Sequence, residues 1–265
     1  MSDAGTLTAS GYAPVNGLRM YYEVHGDQDG AQRPLLLLHG GVLTIDLSFA
    51  GVLPALAATR QVIAVELQGH GRTADIDRDM TLEYFAEDVV GLLDHLGIDV
   101  ADMWGFSLGG LTALQTVIRY PRRVGRLVLA SVHYRHDGYH DEIQNPEALQ
   151  TGSTRLPTPA EFQEMQEVYV QVAPDPDHFE AFTAKLQGVF QAWKGWEQDD
   201  LRAIRSPTLL MVGDHDFVRL EHAVEMHNLI GGSRIAVLPG TTHNGLMRRT
   251  DLVLPIAREF FSAAE

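Results

Sequence analysis

Short aliphatic runs alternate with stretches of helical periodicity along most of this chain, and that alternation confines it to α/β architectures with a mostly parallel sheet covered on both faces. Tyr12 to Val15 and Leu18 to Val24 read as an opening hairpin turned at Asn16-Gly17, a dipeptide suited to the two positive φ angles of a type I′ turn. Leu35 to Leu38 is a buried strand ending at His39-Gly40-Gly41, and Gln61 to Glu66 is another, ending before Gln68-Gly69-His70-Gly71. Leu82, Phe85, Val89, Leu92, Leu93 and Leu96 recur at helical spacing, with Thr81 placed to cap the helix and Gly97 to stop it. Ala101 to Trp104 reads as a strand, Gly105 to Gly109 as a turn, Leu108 to Tyr120 as a helix halted by Pro121, and Arg126 to Ala130 as the next strand.

From His133 to Arg205 the alternation lapses. That stretch holds a loop-like run from Thr151 to Pro159, a break at Pro174-Asp175-Pro176 and two expected helices, so it reads as a helical insertion. Alternation resumes with strand Thr208 to Val212, helix Leu220 to Ile230, strand Ile235 to Leu238 and helix Leu252 to Phe261. The expected layout is one core domain made of residues 1–132 and 206–265, interrupted by residues 133–205. A chain of 265 residues that is 45% hydrophobic is long enough to bury one large core.

Charge and cysteine content exclude several functions. With 35 acidic residues against 20 basic ones the net charge is −15, and the basic pairs Arg122-Arg123 and Arg248-Arg249 are too short to attract a polyanion, so no nucleic-acid partner is expected. Cysteine is absent, which removes disulfides, thiolate metal sites and cysteine nucleophiles and fits a reducing compartment. Met1 to Ser10 lacks the basic start and apolar stretch of a signal peptide, and the longest aliphatic run, Leu35 to Leu38, is far short of a membrane span. The expectation is a soluble cytoplasmic protein. The acidic stretches Asp27 to Asp29 and Asp75 to Asp79 read as solvated loops.

Gly105-Phe106-Ser107-Leu108-Gly109 fits Gly-x-Ser-x-Gly, and it sits where such a turn has to sit, between a buried strand and a helix. There the serine hydroxyl projects above the sheet, while strand and helix approach too closely for side chains at the flanking glycines. A phosphate-binding turn at a helix N-terminus is the other reading, but the Gly-x-Gly-x-x-Gly spacing and a following Gly-Lys-Ser/Thr are both missing. A serine hydroxyl is a weak nucleophile, so a base and a group that orients the base should follow. The candidates lie just past the last two strands: Asp216, or Asp214, in Gly213-Asp214-His215-Asp216, and His243 after Pro239-Gly240. The N–H of Leu108, next to the serine, is aimed to meet an oxyanion.

On these residues the chain resembles the α/β-hydrolase fold superfamily from about Val15 to Phe261. The resemblance implies a mostly parallel sheet of about eight strands with helices on both faces and a helical cap, which would be residues 133–205. It also implies that the acid stands three positions after Gly213, which selects Asp216 and leaves Asp214 a structural residue, that His243 rather than His215 is the base, and that Gly41 is the second oxyanion donor. Glu66 to Thr73 resembles a family segment that usually begins with Asp and ends with Ser; both ends depart here, and His70 and Arg72 are read as structural. Serine at position 107 argues against the relatives that attack with aspartate, the haloalkane dehalogenases and epoxide hydrolases.

His133, His136 and His140, interleaved with Asp137 and Asp141, have spacings open to metal ligation, but Gly138 and the polar surroundings favour a loop leaving the sheet. No metal and no cofactor is expected. The insertion is rich in aromatic residues, and Phe106, Trp193 and Met247 are expected to line an apolar substrate pocket. The expected function is a serine hydrolase that cleaves an ester or lactone of an apolar small molecule through an acyl-enzyme. C–C bond hydrolysis of ring-cleavage products, cofactor-free perhydrolysis, and a ligand receptor on the same fold remain alternatives, and oligomeric state is left open.

Overall fold

The computed structural model describes residues 7–27, 32–144 and 153–263. Met1 to Thr6, Asp29 of the first acidic stretch, and Thr151 at the start of the loop-like run lie outside the described residues.

Strands β1 (Leu7–Val15) and β2 (Leu18–His25) form the opening hairpin, with Asn16 and Gly17 at φ 49° and 87°. There follow β3 (Leu35–Leu38), α1 (Ile45–Phe49), α2 (Leu53–Ala57), β4 (Val62–Val65), α3 (Leu82–His95), β5 (Ala101–Phe106), α4 (Leu108–Arg119) and β6 (Val124–Ala130). Among the described residues, α5 (Asp141–Gln144), α6 (Pro159–Val172), α7 (Phe179–Ala192) and α8 (Gln198–Arg202) come next. The chain closes with β7 (Thr208–His215), α9 (Leu220–Leu229), β8 (Arg234–Thr242) and α10 (Thr250–Ser262). The eight strands form one sheet in the order β1-β2-β4-β3-β5-β6-β7-β8; the β1-β2 and β2-β4 pairs are antiparallel and the rest parallel. The expected α/β-hydrolase fold is thus the observed one.

The four leucines of β3 show why an uninterrupted aliphatic run forms a central strand. Leu36 and Leu38 belong to a core shared with Phe85 and Val89 of α3 and Leu111 and Leu114 of α4, and Leu35 and Leu37 to a second core with Phe49, Leu56 and Phe261 from α1, α2 and α10. The pleat sends alternate residues to opposite faces, and both faces are dry. Each fully buried leucine contributes roughly 2 kcal/mol of transfer free energy.

The helices between β6 and β7 lie against the first of these cores. Tyr169 of α6 stacks on Phe182 of α7 with ring centroids 5.4 Å apart, and Phe182 packs edge-on against His70. Asp75 departs from the expected solvated loop: its side chain is 8% exposed, because Lys185 of α7 reaches its two carboxylate oxygens at 2.8 and 3.0 Å and His178 reaches it at 3.1 Å. Arg248 and Glu164 of α6 form a second tie at 2.6 Å. Among the described residues no helix is long and apolar enough to cross a membrane.

Two features extend beyond the expected elements. α1 and α2 were not anticipated, since five residues each carry no readable periodicity. β7 and β8 run past their glycines: Gly213 pairs with Leu238 but His215 with Thr242, so two extra residues bulge from β8.

Candidate active site

Ser107 joins β5 to α4 at φ 51°, ψ −117°, a conformation that L-residues adopt only when the surroundings enforce it. Its N–H is held by the carbonyl of Ala130 at 2.8 Å and its own carbonyl accepts the Leu111 N–H at 2.9 Å. The flanking glycines leave no room for a side chain: a Cβ on Gly105 would stand 2.3 Å from the Gly109 carbonyl oxygen, and one on Gly109 would stand 2.1 Å from that of Leu38. The serine thus sits on a turn where sheet and helix backbones nearly touch, its hydroxyl free to point above the strand ends.

That hydroxyl meets His243 Nε2 at 2.9 Å, and His243 Nδ1 meets Asp216 Oδ1 at 2.8 Å. The imidazole lies flat on Phe217, with centroids 3.9 Å apart and 5° between planes, and 5.1 Å from the Phe106 ring. Asp216 is fully buried; its Oδ1 also accepts the Val218 N–H at 3.2 Å and its Oδ2 accepts the Ser131 hydroxyl. Burial pushes this carboxyl up, but the adjacent His243 and the hydrogen bonds from His243, Ser131 and Val218 outweigh it and hold the group below its ordinary value. An ionised carboxylate at Nδ1 leaves the lone pair on Nε2, facing the hydroxyl, which suits proton transfer from serine to histidine.

Asp214 and His215 face elsewhere. The Asp214 carboxylate accepts the Gly240 and Thr241 N–H groups, each at 3.0 Å, and so ties down the β8 bulge that leads to His243. A hydrogen bond from His215 and these two N–H groups lower its pKa. His215 is exposed and bonded to Asp214 at 2.9 Å.

Gly41 and Leu108 stand together beside the serine: a Cβ built on Gly41 would lie 3.8 Å from that of Leu108. Leu108 is the first residue of α4, where N–H groups have no intrahelical acceptor. Among the described residues neither N–H has a hydrogen-bond partner. Behind them, His39 takes the Leu67 N–H at Nε2 and gives its Nδ1 proton to the Gly40 carbonyl at 2.8 Å; burial lowers its pKa to about 4, so it is neutral.

Ser107 and His243 open onto a cavity of about 360 Å³. Val42, Phe106, Phe162, Met165, Leu186 and Phe190 form much of its wall, with Thr183, Gln187 and Asn244 as polar points. No Lys, Arg, Asp or Glu lines it among the described residues. Arg155, the cation near Asp216, gives its Nη1 proton to the Asp216 carbonyl at 2.9 Å and pairs with Glu142 at 2.8 Å.

Phe106 is in this wall, but Trp193 and Met247 are not. Trp193 turns inward against His133 and Trp196, at 5.2 and 4.8 Å, and Met247 is buried in the second core beneath the strand ends. Phe217 and Ser131 were not anticipated. Phe217 follows Asp216 and stacks on His243; Ser131 is a lone small residue past a strand end, and no local pattern marks it. The histidine trio is dispersed: His133 is buried against Tyr139 and Trp193, and His136 donates to the Trp193 carbonyl. Among the described residues no group of three or more His, Asp and Glu is placed to hold a metal ion. His70 and Arg72 are structural in their contacts, His70 bonding the Gln68 carbonyl and Arg72 the Glu66 carboxylate at 2.8 Å.

Comparison with known proteins agrees with this architecture. A family model described as alpha/beta hydrolase fold matches residues 33–194. A 2-hydroxy-6-oxo-2,4-heptadienoate hydrolase of Pseudomonas putida is 27% identical over 255 residues, covering 89% of this chain and 91% of that protein. A non-heme haloperoxidase of Rhodococcus erythropolis is 28% identical over 260 residues, covering 84% and 90%. In three dimensions the chain resembles the enol-lactonase of Burkholderia xenovorans with a TM-score of 0.75 at 22% identity, covering 95% of this chain and all of that one, 100%.

Proposed function

Since the chain belongs to the α/β-hydrolase fold family, we propose that it is a serine hydrolase cleaving a neutral ester or lactone of an apolar small molecule, with residues 133–205 acting as a cap over the site. The observation that carries this reading is the unbroken hydrogen-bonded chain from Ser107 through His243 to Asp216 at the floor of an apolar cavity.

In this reading Ser107 Oγ attacks the acyl carbon as its proton passes to His243 Nε2. The N–H groups of Gly41 and Leu108 meet the oxygen as it becomes negative, and because they are backbone donors already in place, little reorganises as the charge forms. The imidazolium is stabilised by Asp216 and then protonates the departing alcohol. Water enters, gives its proton to His243 and attacks the acyl-enzyme, which releases the acid and restores the serine.

Cavity charge favours a neutral ester or lactone over a dienoate of the kind named for the Pseudomonas putida relative. A heptadienoate is a carboxylate, and burying an anion without a cation is costly. The described wall offers none, and Arg155 is engaged by Glu142.

The test is hydrolysis of p-nitrophenyl esters of increasing chain length, beside lactones and a dienoate. Ser107→Ala should lower kcat by as much as roughly a million-fold. Neutral apolar esters should be turned over and the dienoate should not. Undiminished hydrolysis by the alanine variant would defeat the mechanism; preference for the dienoate would reverse the substrate assignment.

A further inference from the structure

Ser131 follows the last residue of β6 and is 2% exposed, yet its backbone stands at φ 56°, a left-handed conformation that serine rarely adopts. Three hydrogen bonds converge on this point. The Ser131 N–H is held by the Met211 carbonyl of β7 at 2.8 Å, the preceding Ala130 carbonyl accepts the Ser107 N–H at 2.8 Å, and the Ser131 hydroxyl donates to Asp216 Oδ2. The dipeptide Ala130-Ser131 therefore braces the backbone of the serine on one side and the carboxylate of the acid on the other.

The two oxygens of Asp216 are held unequally. Oδ1 has His243 Nδ1 at 2.8 Å and the Val218 N–H at 3.2 Å; among the described residues Oδ2 has, besides Ser131, only the Gly213 N–H at 3.5 Å, which is too long to fix it. Asp216 is 0% exposed, so bulk water does not stand in for a missing donor. Without the Ser131 hydroxyl the carboxylate gains freedom to turn about its Cβ–Cγ bond, and Oδ1, the atom that aims the imidazole, turns with it.

We infer that Ser131 is a positioning residue: its hydroxyl locks the Asp216 carboxylate in the plane that directs His243 at Ser107. The inference rests on the serine-hydrolase reading above. Its strained backbone is the cost of presenting a short hydroxyl from β6 to a carboxylate on the loop after β7. The same hydrogen bond helps keep Asp216 ionised.

Paired substitutions separate the hydroxyl from the backbone. Ser131→Ala removes the hydroxyl and keeps the strain; Ser131→Gly removes the hydroxyl and relieves the strain, since glycine adopts positive φ freely. Both should lower kcat for a p-nitrophenyl ester about 10- to 100-fold with KM unchanged. Thermal melting should show Ser131→Gly folded, which keeps the test valid if the alanine variant is unstable. Wild-type kcat in Ser131→Gly, with Ser107→Ala inactive, would overturn the inference and leave the serine-hydrolase reading standing. Activity surviving in Ser107→Ala would overturn both.

Discussion

The His243 imidazole is constrained on both nitrogens and one face, which makes its partners separable by substitution. Asp216→Asn keeps the shape of the acid but presents an amide to Nδ1, so the imidazole loses its anion and the tautomer that leaves Nε2 free. The expected loss is roughly ten-thousand-fold in kcat for ester hydrolysis. Asp214→Asn keeps one acceptor for the Gly240 and Thr241 N–H groups and should cost only a few-fold. Steady-state kinetics of the two variants decide the matter, and a greater loss at position 214 would exchange their roles. Ser107 and His243 stand just past strand-ending glycine turns, which a sequence can mark, whereas the residues alone left Asp214 and Asp216 open and only the family resemblance chose between them. Trp193 was not legible in the same way, since its type marks it as apolar without saying which way it faces; in the structure Trp196 and His133 take it inward. Ser131 and Phe217 act through neighbours distant in sequence, and no local spacing records that.

Among elements, the helices between β6 and β7 are held in part through one buried carboxylate, Asp75. Asp75 receives Lys185 and His178 from the helical side and the Gln68 amide, at 2.7 Å, from the sheet side. Asp75→Asn leaves Lys185 without its counter-charge where its side chain is only 26% exposed. The expected cost is about 2 kcal/mol, concentrated at the α7 contact. Limited proteolysis should show earlier cleavage within residues 153–196 and ester kinetics a raised KM, while kcat changes little. Equal protease resistance in variant and wild type would show that the apolar stack of Tyr169 and Phe182 is sufficient alone. Strands and long helices were readable because burial on one or two faces writes a period into the sequence. Short helices such as α1 and α2, the bulge in β8, and the burial of Asp75 were not, because each is set by what packs against it.

At the scale of the whole molecule, buried histidines rather than the large carboxylate excess predict how stability changes between pH 6.5 and 4. His39, His70, His133 and His222 are each at most 1% exposed, and burial holds all four below the ordinary value, His39 and His222 at about 4. They are neutral when folded and take up protons on unfolding, so stability is full above pH 6.5 and falls as pH drops from 6.5 toward 4. Each contributes a slope approaching about 1.4 kcal/mol per pH unit wherever the unfolded chain is protonated and the folded one is not. Urea midpoints should be flat from pH 8 to 7 and then fall steeply through pH 5; a midpoint unchanged at pH 5 would mean that these imidazoles protonate in place. Sheet order carries one more consequence, for the timing of synthesis. Ser107 after β5 and His243 after β8 are 136 residues apart in sequence. The serine turn emerges from the ribosome long before its base, so under the proposed chemistry a nascent chain cannot cleave an ester until β8 has paired, and a product truncated before His243 is inert.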